Sequence, residues 1–250
     1  MERTKRCNET YEKLYNKARR TKNSTDPELL EIMQKFEYGD VYNSGDLDYK
    51  CRELIVICLI TAQETPRGLK SHIFAALNVG VSPLEIREAI YQCATYIGFP
   101  RVLSAVGIMN EAFAEKSIEV PLKGNPPVAD SERFEKGKEI ERKLLGNTFE
   151  QMFKDLPENY GEIIPKYITE VCFGDFYTRG ALDVATRELL MFAVVACVGV
   201  ESHMRLHAKA NQEAGNYKET LIASMVQAMP YIGFPRALNA IKILNAEMDY

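Results

Sequence analysis

Apolar positions recur three and four residues apart over much of the chain, the spacing of one buried helix face, and the elements they predict come in two similar sets. NETYEKLYNKARR (8–20) and SERFEKGKEIERKLL (131–145) read as amphipathic helices. SPLEIREAIYQCATYIG (82–98) carries its own start signal: Ser82 as N-cap, Pro83 at the first helical position and Glu85 three residues on from Ser82. Ile86, Ile90 and Cys93 continue its apolar stripe. RVLSAVGIMNEAF (101–113) and RALNAIKILNAEM (236–248) read as further helices. RELIVICLITA (52–62) is harder, because its β-branched residues favour a strand. The run from Asp48 to about Gln63 is long for a strand, and Asp48 can cap a helix. Its counterpart RELLMFAVVAC (187–197) leans helical in composition. Both are read as buried helices, and the expected fold class is all-α, two tandem homologous helical bundles.

The two sets are copies. YIGFPR occurs at 96–101 and again at 231–236, and the same shift of 135 superimposes Gly39, Asp40 and Tyr42 on Gly174, Asp175 and Tyr177. It also places Arg52-Glu53-Leu54 on Arg187-Glu188-Leu189 and His72 on His207. Nearer the N-terminus the offset drops to 123, so the second copy carries about a dozen extra residues around GNTFEQMFKDLPENYGE (146–162). A period this long is a duplicated domain rather than a stacked solenoid repeat. The expected division is 1–122, a linker at 123–130 within VPLKGNPPVAD, and 131–250. In the repeated hexapeptide, Gly98 is expected to end one helix in a left-handed conformation and Pro100 to open the next.

Composition narrows the class. The 250 residues are 46% apolar and 26% charged, with a net charge of −4 and both signs interspersed. No basic block suggests nucleic acid and no polybasic stripe suggests a lipid surface. The longest apolar runs, LIVICLITA and LLMFAVVACVGV, fall short of the ~20 residues that span a bilayer. The N-terminal segment lacks the apolar core of a signal peptide. Six cysteines without a CxxC or a disulfide-like framework fit a reducing cytoplasm.

The chemistry rests on three histidines, His72, His203 and His207. His72 follows Glu53 by 19 residues, and His207 follows Glu188 by the same 19. Each glutamate begins the most apolar helix of its copy, where a carboxylate loses water and its pKa rises unless a cation pairs with it. A Glu and a His beside an apolar wall make an acid–base pair; the plainer alternative is a hydrogen bond that ties two helices together. His203 and His207 stand four apart on one helix face, so Glu188, His203 and His207 also form a candidate two-His, one-carboxylate metal set, though no full metal signature surrounds it. Arg101 and Arg236, just after each corner proline, are candidates for holding a substrate carboxylate near a helix N-terminus.

The Glu, the His 19 residues later, the following Ala-x-x-x-x-Gly and the Gly-x-Pro corner together resemble the carboxymuconolactone decarboxylase family, which includes the alkylhydroperoxidase D-like proteins. The resemblance covers nearly the whole chain as two tandem copies. The redox branch of that family has the pattern Glu-x11-Cys-x2-Cys-x3-His. Its cysteine positions fall on Val200 and His203 in the second copy, and on Thr65 and Gly68 in the first. A peroxidase of the thiol type is therefore unsupported. What remains is similar to the decarboxylase branch. That implies cofactor-independent loss of CO₂ from a small carboxylated lactone, with His207 or His72 as acid or donor and Glu188 or Glu53 orienting it. A non-catalytic binding or assembly module on the same fold is the other alternative. The resemblance further implies a small-molecule substrate, no cofactor, and a homo-oligomer in which three chains make a pseudo-hexamer.

Overall fold

The computed structural model describes residues 2–19, 24–124, 126 and 128–248. The first copy contains α1 (Glu2–Tyr15), α2 (Pro27–Gln34), α3 (Tyr49–Gln63), α4 (Pro66–Asn78), α5 (Pro83–Gln92), α6 (Ala94–Ile97) and α7 (Phe99–Glu115). The second contains α8 (Arg133–Leu145), α9 (Thr148–Phe153), α10 (Tyr160–Tyr167), α11 (Val184–Val198), α12 (Glu201–Glu213), α13 (Lys218–Ile232) and α14 (Phe234–Glu247). No strand occurs among the described residues. Arg20, at the end of the first expected helix, lies outside the described residues, and that helix already stops at Tyr15. The extra residues of the second copy form α9 and the start of α10.

The ambiguous apolar runs are helices. In α3 every residue from Arg52 to Ala62 is buried, and in α11 every residue from Arg187 to Cys197. A helix apolar on all sides belongs at the centre of a core, and these two pack against each other. Burying one large aliphatic or aromatic side chain contributes roughly 1.5–3 kcal/mol, so this pair anchors the molecule. Asp48 caps α3 as expected, accepting from the Cys51 amide at 2.7 Å, and its equivalent Asp183 caps α11, accepting from the Thr186 amide at 2.7 Å. The capping box of Ser82 and Glu85 also forms.

The two copies share one continuous apolar core, running from Leu54 through Phe113 to Leu190, Met225 and Leu244. Their seam is fastened reciprocally. The Arg52 guanidinium donates to Gln227 at 2.8 Å, and Arg187 donates to Gln92 at 2.6 Å. Each pair is the other's equivalent under the 135-residue shift. Arg52 places its remaining N–H groups on the carbonyls of Val41, Ser44, Gly45 and Leu47. The arginines beside the two core glutamates are thus fully engaged elsewhere, and each glutamate is left to another partner.

Three local details differ from expectation. Gly98 and Gly233 have φ of 86° and 78° with ψ of 152° and 157°, an extended positive-φ region essentially restricted to glycine, not the left-handed helical one. Pro100 and Pro235 are accordingly second in α7 and α14, after Phe99 and Phe234, where an N–H would still lack a helical acceptor. Lys35–Asp40 and Ile168–Tyr177 are π-helical, a conformation with no period-3.6 signature and one frequent at functional sites. At the start of the expected linker, Gly124 and the preceding Leu122 accept from Arg87 through their carbonyls; Asn125 and Pro127 lie outside the described residues.

Candidate active site

Both Glu–His pairs form. Glu53 and His72 meet at 2.9 Å, and Glu188 and His207 at 2.7 Å, in each case through Nδ1 of the imidazole. A carboxylate partner requires that this nitrogen carry its proton, so Nε2 is the other reactive edge. The second oxygen of each carboxylate accepts from a tyrosine at 2.5 Å: Tyr42 for Glu53, Tyr177 for Glu188. These tyrosines come from the region of the two π-helical segments, which pack beneath α1 and α8 and project polar groups toward the core helices.

The two histidines are equally buried, each 6% exposed. What separates them is what meets the outer edge. Nε2 of His72 lies 3.4 Å from the Tyr231 hydroxyl and 3.9 Å from Glu37 Oε1, with the Tyr15 ring edge-on at 6.5 Å between centroids. Tyr231 donates to Glu37 in a short hydrogen bond. Burial pulls the His72 imidazole down, but the Glu53 charge, its hydrogen bond and the Glu37 charge outweigh that and hold it above the ordinary histidine value. Burial raises the Glu37 carboxyl above the usual range against the opposing pull of His72 and Tyr231.

His207 instead forms part of the wall of a cavity of about 250 Å³, near the small end of ligand pockets, which run roughly 300–1,000 Å³. Leu145, Phe149, Ile168, Val195 and Leu206 give it an apolar lining, and Tyr96, Tyr177, Cys172 and His203 its polar points. The position equivalent to Glu37 is Cys172. Burial pushes the Cys172 thiol up to about 11, with a Thr95 hydrogen bond opposing, so it stays protonated near neutral pH. All six cysteines are free. Burial, then the Glu188 charge, hold Tyr96 and Tyr177 well above the ordinary phenol value, so both are O–H groups.

Several expected site residues are placed elsewhere. Arg101 is half exposed and pairs with Glu64 at 2.7 Å, beside a separate depression of about 240 Å³. Arg236 is exposed and its guanidinium lies 4.0 Å from where a side chain on Gly199 would begin. Neither arginine lines the His207 cavity, because each corner delivers its arginine to the outer turn of the next helix. The three-residue metal set does not assemble either. Both Glu188 oxygens are engaged by Tyr177 and His207, while His203 sits on the exposed first turn of α12 with Nδ1 3.4 Å from the Ser202 hydroxyl. Among the described residues no group of three or more His, Cys, Asp or Glu side chains is arranged to hold a metal ion. His203 does line the cavity, and burial with the nearby His207 lowers its pKa. Tyr96, Tyr177 and Cys172 escaped the reading of the sequence, although Tyr96 stands in the repeated hexapeptide and Tyr177 in a repeated Gly-Asp-x-Tyr.

Residues 27–111 and 164–246 match the model of the carboxymuconolactone decarboxylase family, and the chain belongs to that family. One relative is the 4-carboxymuconolactone decarboxylase of Acinetobacter baylyi, 27% identical over 107 residues that cover 43% of this chain and 80% of that protein. Another is the nitrosuccinic acid decarboxylase of Metarhizium robertsii, 37% identical over 76 residues. That match covers 30% of this chain and about half (53%) of the relative. A crystal structure from Burkholderia xenovorans, described as a gamma-carboxymuconolactone decarboxylase subunit, shares the fold with a TM-score of 0.57 and 21% identity. It covers 97% of this chain, and 96% of its own length is matched. No helix among the described residues is long and apolar enough to cross a membrane.

Proposed function

We propose that the chain is a decarboxylase whose working centre is the Glu188–His207 pair, acting on a small carboxylic acid that carries an electron-accepting carbonyl or nitro group. The observation that carries this is the 2.7 Å pair whose imidazole stands in the wall of a mainly apolar cavity. A carboxylate moved from water into such a space loses its solvation, which favours its departure as neutral CO₂. The bond between the substrate carbon and the carboxylate breaks, and its electron pair moves to the conjugated oxygen. His207, as imidazolium with Nδ1–H held by Glu188, then delivers the Nε2 proton to carbon, and solvent restores that proton. Glu188 fixes the ring and offsets its charge, while Tyr177 fixes Glu188. No step requires a thiolate.

The names of two relatives motivate the choice of substrate class, since a carboxylated lactone and nitrosuccinic acid both place a carboxylate where an oxygen can take up the electron pair. The test is CO₂ release from 4-carboxymuconolactone and 2-nitrosuccinate by the wild type and by His207→Gln. Loss of a general acid lowers the rate by about 10²–10⁴. A glutamine variant as fast as the wild type removes this proposal.

A further inference from the structure

Tyr96 belongs to the first copy but stands in the second copy's cavity, its ring 5.3 Å from that of His207. Thr95 beside it lines the same cavity. The exchange is mutual: Tyr231, the equivalent residue of the second copy, lies 5.7 Å from the His72 ring of the first. The repeated corner therefore sends one tyrosine across the seam in each direction.

The destinations of the hydroxyl protons differ. Tyr231 donates its O–H in a hydrogen bond to the Glu37 carboxylate. In the cavity, Tyr177 has committed its proton to Glu188, and the Thr95 hydroxyl donates to the Gln92 carbonyl at 3.3 Å. Tyr96 has the Tyr177 hydroxyl as its polar neighbour, a neutral group and so a weaker hold than a carboxylate. At the place of Glu37 there is the protonated thiol of Cys172. Tyr96 is thus the cavity hydroxyl with the weakest competing hold on its O–H, the one best placed to donate a hydrogen bond to a ligand.

Resting on the function proposed above, we infer that Tyr96 is a catalytic residue of the second copy's site, donating its hydroxyl proton in a hydrogen bond to the substrate oxygen that becomes negative as CO₂ leaves. The O–H bond is not broken: the oxygen gains charge from the cleaved carbon–carbon bond, Tyr96 stabilises it, and the proton that ends on carbon comes from His207. The site is then incomplete without the first copy, which gives the duplication a chemical role.

The experiment compares wild type, Tyr96→Phe, Tyr231→Phe and His207→Gln on 4-carboxymuconolactone and 2-nitrosuccinate, with kcat and KM measured separately. Removing one such donor costs about 10²–10³ in kcat. The expected result is a fall in kcat of tenfold or more for Tyr96→Phe with KM changed less than threefold, and an unchanged kcat for Tyr231→Phe. If His207→Gln is inactive while Tyr96→Phe stays within tenfold of wild type, the role of Tyr96 is overturned and the decarboxylase reading stands. If the wild type turns over neither acid, or His207→Gln remains active, the reading itself falls and this role with it. Should Tyr96→Phe not fold, replacing Tyr96 by 3-fluorotyrosine keeps the shape and changes only the acidity of the hydroxyl; an unchanged kcat then overturns the role.

Discussion

Glu37 and Cys172 occupy equivalent positions in the two copies, and each faces the same Glu–His–Tyr arrangement with a different group. Glu37 accepts the Tyr231 hydroxyl beside Nε2 of His72, and the neighbouring Tyr15 ring completes the packing there. Cys172 lines the cavity on which His207 also stands. A carboxylate recruits a hydroxyl donor strongly, whereas a protonated thiol does so weakly. Cys172→Glu is therefore expected to draw Tyr96 across the imidazole and convert the second centre into the form of the first. The expected loss in kcat/KM is about 100-fold, with a melting temperature near that of the wild type because the first copy already accommodates the same group. Activity retained in a folded Cys172→Glu protein would contradict the distinction drawn between the two centres.

His72 gives a prediction about stability rather than rate. Its folded pKa lies above the unfolded value of 6.5 because Glu53 and Glu37 outweigh burial. A raised imidazole pKa contributes stability that is complete below 6.5 and is lost as pH rises through the folded value. The tyrosines around it, Tyr15, Tyr42 and Tyr231, are all held well above 10 and do not titrate in that window. Glu37, also raised, acts with the same sign from 4.5 upward, and the histidine adds its own loss above 6.5. Urea unfolding is expected to show stability falling above pH 6.5, by about 1.4 kcal/mol for each unit of pKa elevation. His72→Gln should remove that slope; an identical slope in the variant would mean that other groups cause it.

How far this was visible in the sequence depends on the kind of contact. The Glu–His pairs were legible because a glutamate that opens the buried, apolar stretch of a helix must find a partner, and the duplication repeated the same histidine at the same distance. The helices, caps and corners were legible from local periodicity and capping chemistry. The crossing tyrosines were not, since nothing local to YIGFPR says that its tyrosine serves the other copy. Glu37 and Cys172 lie on π-helical turns, whose wider winding breaks the 3.6-residue pattern by which a buried face is recognised. The corner arginines looked like carboxylate ligands because their setting at a helix start is a general anion site; Arg101 is instead met by Glu64 on the surface.

Glu88 shows that the seam is unequal as well as reciprocal. It is fully buried and takes Arg87 at 3.0 Å, Arg179 at 2.7 Å and Arg187 at 3.5 Å, whereas the equivalent position in the second copy is Ala223. Replacing it by the neutral isostere, Glu88→Gln, leaves three guanidinium groups around a site without a charge. Breaking a buried ion pair on one side costs about 3–5 kcal/mol. The expected result is a loss in this range in denaturant unfolding, while Arg52→Met, whose hydrogen-bond partners are carbonyls and an amide, behaves as a hydrogen-bond loss without an orphaned charge. A Glu88→Gln change below about 1 kcal/mol would show that the cluster is solvated enough to be dispensable.

Gly137 connects the frame of the second copy to its chemistry. A methyl group at this position of α8 would lie 2.3 Å from the Thr169 carbonyl oxygen and 2.7 Å from the Gly174 nitrogen, both backbone atoms of the π-helical segment. Gly174 is equally close in return, its added carbon falling 2.4 Å from the Arg133 carbonyl oxygen. Backbone atoms cannot turn aside as a side-chain tip can, so Gly137→Ala must push Ile168–Tyr177 away from α8. Overpacking of this kind costs about 1–3 kcal/mol, occasionally more. The same segment carries Cys172 and Tyr177, and Tyr177 holds Glu188 at 2.5 Å. The variant is therefore expected to lose activity as well as stability, and to lose more activity at 25 °C than its folded fraction accounts for. Scaling the measured rate by the fraction folded, taken from circular dichroism under the assay conditions, provides the check. A rate that recovers fully on that scaling would mean that the π-helical segment tolerates displacement without disturbing the Glu188–His207 pair.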